Sequence, residues 1–222
     1  MDKAQKKAAA ATTRKTADSP RSGPTVFMVD DDQAVRESVQ FLLDSVGLSM
    51  QGFSSGEEFL AVWSPAMRGC LLLDVRMPKM SGLELQEKLR TLEAMLPVII
   101  LTGHADVPMA VRAMRAGAFD FIEKPCNDQL LVERIQQAIA HDSTSRIDDV
   151  RVTDIKARLA TLSDREREVM ELVVAGMLNK EIAKALTLSI KTVEVHRAHV
   201  MEKMAVSCLA DLVRNAMLVG ME

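Results

Sequence analysis

Cys70-Leu71-Leu72-Leu73-Asp74 is four apolar residues closed by a carboxylate. The same design recurs along the first half of the chain. Thr25 to Val29 ends at Asp30-Asp31, Val98-Ile99-Ile100-Leu101 ends at Thr102, and Phe119 to Glu123 ends at Lys124. Short continuous apolar runs bounded by polar or turn residues read as strands buried on both faces. In an open parallel sheet, strand ends lie side by side and form the crevice where ligands bind. Three carboxylates, a hydroxyl and an ammonium are therefore predicted to converge. Carboxylates that close repel unless a cation joins them, and hard oxygen donors suit Mg²⁺.

Between the predicted strands at about 25–29, 48–53, 70–74, 98–102 and 119–122, the segments 32–46, 55–63, 82–92, 107–116 and 127–140 carry helical spacing. Val35, Val39, Leu42, Leu43 and Val46 are one such face. Gly47, Gly69, Gly103 and Gly117 stand at the junctions. Five strand–helix pairs predict an α/β fold with a doubly wound, five-stranded parallel sheet over residues 24–141.

Residues 1–23 hold six Lys/Arg against two Asp and almost no large apolar side chain, and are predicted to be a disordered tail, solvated or touching anionic surfaces. Residues 142–160 lose the alternation. The stretch 142–145 reads as a linker, and the charged stretch to Arg158 is compatible with a helix that pairs with a second copy or with a flexible tether.

From residue 161 to 222 the pattern is all helical. Ser163 with Glu166 makes a capping box ahead of Val169, Leu172, Val173 and Met177. Asn179 opens a short helix to Leu186, Ser189 caps a third to about Met204, and Ser207 is predicted to cap a fourth to about Val219. Only Thr187-Leu188 joins the second to the third, which is helix-turn-helix spacing. A small all-α domain of four helices is expected.

Composition narrows the function classes. The chain is 222 residues with 48% hydrophobic residues and a net charge of −3, and no apolar run approaches membrane-spanning length. The charge is uneven: residues 24–142 hold 10 basic against 17 acidic side chains, whereas residues 143–222 hold 12 of each. DNA binding therefore has to be argued from local pattern, because the bulk charge lacks the basic footprint. Cys70, Cys126 and Cys208 are far apart, which speaks against a zinc site or a disulfide framework. No leader-like apolar segment opens the chain, and a cytoplasmic location without membrane contact is expected.

Asp30-Asp31, the segment Asp74-Val75-Arg76-Met77-Pro78-Lys79-Met80-Ser81-Gly82, Thr102-Gly103 and Lys124-Pro125 resemble the receiver domain of two-component response regulators, a flavodoxin-like fold. The resemblance implies that Asp74 accepts a phosphoryl group from a sensor histidine kinase. It implies Mg²⁺ held by Asp31, Asp74 and the backbone carbonyl of Arg76, with Asp30 acting through water. It assigns Lys124 and Thr102 to the phosphoryl oxygens and Phe121 to a switch aromatic. A homodimer formed on phosphorylation, through the surface of 109–116 and 128–139, is also implied. Cys126 is expected to do no chemistry.

The stretches Leu162 to Val169, Asn179-Lys180-Glu181-Ile182-Ala183 and Ser189 to Arg197 resemble the LuxR-type DNA-binding domain, and both halves together resemble the FixJ-like branch of response regulators. On a helical wheel Val193, Val200 and Met204, with Ile190 nearby, face inward. Lys191, Thr192, Glu194, Val195, Ala198 and His199 face outward near the end that enters the major groove. Glu194 is placed to accept from a cytosine amino group, Val195 to touch a thymine methyl, and small Ala198 to allow close approach. Asn179, Lys180, Lys191 and Thr192 suit phosphates, which position without specifying.

The expected function is a phosphorylation-controlled transcription factor, not an enzyme, that binds promoter DNA, meets RNA polymerase and acts as an activator. Two rivals fit less well, because Asp74 lacks the nearby general acid of the first and the full set Asp30, Asp31, Asp74, Thr102 and Lys124 argues against the second. One is a Mg²⁺-dependent phosphatase, which would place a general acid close to its nucleophile on one loop. The other is a DNA-binding scaffold with a vestigial receiver. An RNA-binding output lacks the aromatic stacking residues it would need.

Overall fold

The computed structural model of the chain describes residues 23–103 and 106–221. All but Gly23 of the expected N-terminal tail lies outside the described residues. Among these, five strands, β1 (Thr25–Val29), β2 (Ser49–Phe53), β3 (Gly69–Leu73), β4 (Val98–Thr102) and β5 (Asp120–Glu123), form one sheet in the order β2-β1-β3-β4-β5. Every pairing is parallel. Helices α1 (Gln33–Ser45), α2 (Gly56–Val62), α3 (Gly82–Thr91), α4 (Val107–Arg115) and α5 (Asp128–Leu159) alternate with the strands.

The continuous apolar runs have a simple cause. Phe27, Val29, Leu71, Leu73 and Ile100 point to the face covered by α2, α3 and α4, where Phe59, Leu85, Leu89 and Ala113 meet them. Their neighbours Val26, Met28, Cys70, Leu72, Ile99 and Leu101 point to the opposite face, under Val39 and Leu43 of α1 and Leu131, Ile135 and Ala138 of α5. On the inner strands, covered on both sides, polar side chains fall only at the ends, whereas the edge strand β2 carries Gln51 exposed in its middle.

Four further helices follow: α6 (Asp164–Val174), α7 (Asn179–Leu186), α8 (Ile190–Lys203) and α9 (Leu209–Leu218). Their core joins Val169, Met170, Val173, Ile182, Val193, Val200, Met204, Leu212 and Ala216. Ile155 and Leu159 from the end of α5 belong to the same core. The capping box of Ser163 and Glu166 is present, and Thr187 takes a left-handed conformation in the turn before α8.

Several expectations need correction. Residues 142–145, expected as a linker, are helical: α5 runs unbroken for 32 residues, about 48 Å at 1.5 Å per residue, from the sheet into the C-terminal core. The fourth C-terminal helix is capped at Cys208 rather than Ser207. Ile190 occupies the first position of α8 and is 50% exposed instead of packing inward. Met170, absent from the predicted face of α6, is fully buried, while Val46 is an exposed C-cap.

Candidate functional site

The C-terminal ends of β1, β3, β4 and β5 bring Asp30, Asp74, Thr102 and Lys124 together. Asp30 and Asp74 are buried, and Lys124 Nζ donates to both, at 2.6 Å to Asp30 Oδ2 and 3.2 Å to Asp74 Oδ1. The remaining carboxylate oxygens are also engaged. Asp30 Oδ1 accepts the N–H of Asp32 at 2.9 Å, and Asp74 Oδ2 accepts the N–H of Arg76 at 2.7 Å. Thr102 is fully buried, and its backbone carbonyl accepts the N–H of Lys124. Phe121 is half-buried and packs with Met109 against the α2–α4 side of the core.

Burial pushes the Asp74 carboxyl above the usual range, with the neighbouring Asp30 adding to it. The Lys124 ammonium and the Arg76 N–H pull the other way and do not cancel the effect. Burial works against the charge of Lys124, but Asp30 and Asp74 together more than offset it and hold the ammonium above its ordinary value. The pocket therefore keeps a cation and strains an anion, an arrangement that favours arrival of a second cation.

Asp31 is exposed, and among the described residues no three His, Cys, Asp or Glu side chains stand close enough to form a metal cage. The donor set still fits Mg²⁺, which keeps several waters and is bound by one or two carboxylates together with phosphate oxygens. Asp31, Asp74 and the Arg76 carbonyl are the hard oxygens that would hold it.

Two features had no signal in residue spacing. Arg36, on α1, donates to the main-chain carbonyl of Asp30 at 2.6 Å and fixes the loop that carries both acids. Gly82 begins α3 where a Cβ would stand 2.1 Å from the Asp74 carbonyl oxygen, so only glycine lets the helix approach the end of β3 this closely.

In the C-terminal domain, Val193 and Val200 are buried, while Lys191, Glu194, Val195, Ala198 and His199 lie exposed along α8. Val195 is 48% exposed. Thr192 is half-buried, with its hydroxyl 2.8 Å from that of Ser189. Asn179 is held by Arg197 Nη1 at 2.7 Å, which ties α7 to α8, and Lys180 is exposed beside it.

Glu166 anchors the other end of α8. Its Oε2 accepts from Ser163 N–H at 2.8 Å and from Lys203 Nζ at 2.6 Å, and its Oε1 lies 3.5 Å from His199 Nδ1. The Lys203 ammonium, then the Ser163 N–H, hold this carboxyl down at about 2.

Comparison with known proteins gives matches over both parts. The family described as response regulator receiver domain matches residues 26–136, and the family described as bacterial regulatory proteins, luxR family, matches residues 160–216. Transcriptional regulatory protein FixJ of Rhizobium meliloti (strain 1021) is 49% identical over 196 residues, spanning 88% of this chain and 96% of that protein. Among solved structures, the response regulator StyR superposes with a TM-score of 0.75 at 40% identity, over 88% of this chain and 98% of that one. Full-length FixJ from B. japonicum superposes with a TM-score of 0.56 at 43% identity, over 90% and 98%.

Proposed function

Because the chain belongs to the response regulators that join a receiver domain to a LuxR-family DNA-binding domain, we propose that Asp74 is its phosphoacceptor and that charge placed there governs how α8 meets promoter DNA. Its general role is that of a transcriptional response regulator. The observation that carries the proposal is the shared ammonium: Lys124 Nζ bridges Asp30 and Asp74 where three strands end.

The transfer is a displacement at phosphorus. An oxygen of Asp74 attacks the phosphoryl group of a phosphohistidine on a sensor kinase, the P–N bond breaks as the P–O bond forms, and the imidazole leaves with the electron pair. Such transfers need positioning and charge neutralisation more than covalent machinery. Lys124, already seated against Asp74, turns to the phosphoryl oxygens. Thr102 offers its hydroxyl to one of them, and Phe121 follows into the space that opens. Asp31, Asp74 and the Arg76 carbonyl, with Asp30 through water, would hold Mg²⁺, which would supply charge neutralisation.

The chain turns over no external substrate; its chemistry is confined to its own acyl phosphate. It works in the cytoplasm, and among the described residues no helix is long and apolar enough to cross a membrane. Phosphorylation favours a homodimer through α4 and the first turns of α5, which presents paired α8 helices to two half-sites and brings RNA polymerase to the promoter as activator. Lys191, Lys180, Asn179 and Thr192 hold phosphates, His199 lies at the edge of the contact, and Glu194, Val195 and Ala198 meet base edges.

Acetyl phosphate with Mg²⁺ tests the acceptor. Native chain is expected to take up one alkali- and hydroxylamine-labile phosphoryl group, mapped to Asp74 by mass spectrometry. Equal uptake by Asp74→Asn would show that the acceptor is elsewhere.

A further inference from the structure

Asp142 stands in the middle of α5 and is 2% exposed. Its Oδ2 accepts the main-chain N–H of Gly69 at 3.0 Å, and its Oδ1 accepts from Arg146 Nε at 2.6 Å. The same guanidinium donates through Nη1 to the carbonyl of Pro65 at 3.1 Å and through Nη2 to that of Met67. The connection between α2 and β3 is thus stapled to α5 by one carboxylate and one guanidinium.

The place of this staple is what gives it meaning. Gly69 opens β3, so the staple lies at the opposite end of that strand from Asp74, roughly 16 Å away at 3.3 Å per residue. Gly69 has φ +126°, and a Cβ there would meet the Thr25 carbonyl oxygen at 2.0 Å, so β1 fixes the N–H that Asp142 receives. Immediately beyond Arg146 the helix leaves the receiver. Ile147 is 68% and Val150 71% exposed, after which Arg151 reaches Asn215 of α9 and Ile155 enters the C-terminal core. Arg146 is therefore the last described side chain of α5 bonded to the receiver before the helix becomes part of the DNA-binding domain.

Apolar contacts at Leu131, Ile135 and Ala138 hold α5 against the sheet but are non-directional. A planar guanidinium engaging three acceptors is directional, and fixes the rotation of the helix as well as its distance. We propose that Asp142 and Arg146 are positioning residues for coupling between the domains, setting the angle at which α5 carries the DNA-binding helices away from the receiver. This rests on phosphorylation of Asp74 as the input. With the staple cut, the receiver still takes up phosphate, but its change of state no longer reaches α8 through a fixed lever.

The test uses the full chain as native protein, Arg146→Met, Arg146→Lys, Asp142→Asn and the exposed control Ser143→Ala. Phosphate uptake from acetyl phosphate is measured beside affinity for a DNA fragment that the phosphorylated native chain selects from a random pool, with and without phosphorylation. Both Arg146 variants are expected to take up phosphate within about twofold of native while the affinity gain on phosphorylation falls at least threefold. Lysine keeps the ion pair but cannot reach three acceptors, so it does not rescue. Ser143→Ala keeps the native gain. Where Arg146→Met does not melt cooperatively, Asp142→Asn decides, since its amide oxygen still accepts from Gly69, and the same loss of gain is expected. Normal uptake with the native gain in the deciding variant overturns the proposal. A native chain that takes up no phosphate, or whose DNA affinity ignores it, overturns the Asp74 mechanism and this inference together.

Discussion

Lys124 Nζ lies 3.2 Å from Asp74 Oδ1, so the ammonium proposed to meet an incoming phosphoryl group already rests on the proposed acceptor. The same nitrogen is 2.6 Å from Asp30. One side chain therefore neutralises two buried carboxylates in the resting protein, and the proposed phosphoryl transfer to Asp74 would release it from one of them.

Replacing Lys124 by Met removes this charge while keeping most of the side-chain volume. A hydrogen bond to a charged group is worth about 1.5–3 kcal/mol, which corresponds to roughly a 10- to 100-fold slower uptake of phosphate from acetyl phosphate. Initial rates by radiolabel or mass spectrometry check this, and an unchanged rate would remove Lys124 from the mechanism.

The acceptor should weaken the fold at neutral pH. Burial raises the Asp74 carboxyl above its ordinary value of 3.8. In the window above 3.8, up to the raised value, the folded chain binds a proton that the unfolded chain has lost, so stability falls as pH rises through it. Asp74→Asn, which mimics the neutral group, is expected to be more stable than native at pH 7.5, with the difference shrinking toward pH 4. Urea melts at the two pH values measure it; a variant less stable at pH 7.5 contradicts the balance of forces described for the pocket.

Glu166 has the opposite sign. Its carboxyl, normally at 4.5, is held at about 2 by Lys203 and Ser163. The stability it contributes is fully present above 4.5 and disappears as pH falls through about 2. Glu166→Gln is expected to lower the melting midpoint of the C-terminal domain at pH 7, with the gap to native closing between pH 4.5 and 2. A gap that stays constant across that range would mean the carboxylate charge contributes nothing.

On DNA, Lys191 and Glu194 should separate affinity from specificity. Lys191→Ala is expected to weaken binding evenly across sequences and reduce the salt slope by about 1, as for loss of one phosphate contact. Glu194→Ala is expected to relax preference at one base pair, worth about 1–3 kcal/mol, with the salt slope unchanged or slightly steeper. Binding isotherms over a salt series and a library of single-base variants report both. The assignments fail if the two variants behave alike.

The sheet and its pocket were legible because both faces of the strands are covered, leaving Asp30, Asp74, Thr102 and Lys124 as polar residues at buried strand ends. The C-terminal helices were legible from their caps, with Ser163, Glu166 and Ser189 all in place. What escaped was decided by distant partners. Asp142-Ser143-Thr144-Ser145 has weak helix propensity and reads as a linker, yet Asp142 lies inside α5 and accepts a main-chain N–H 73 residues away. Arg36 reaching back to the Asp30 carbonyl leaves no trace in spacing either. Ile190 misleads a helical wheel because the first position of α8 opens to solvent before the helix packs on its neighbours.

The most direct measurement is the DNA affinity of native chain and Asp74→Asn, each with and without acetyl phosphate and Mg²⁺, on the same selected fragment. Native chain is expected to bind at least tenfold tighter once phosphorylated, and Asp74→Asn to bind equally under both conditions. Tightening in the Asn variant, or none in a native chain shown to carry the phosphoryl group, would contradict the coupling of Asp74 to the DNA-binding helices.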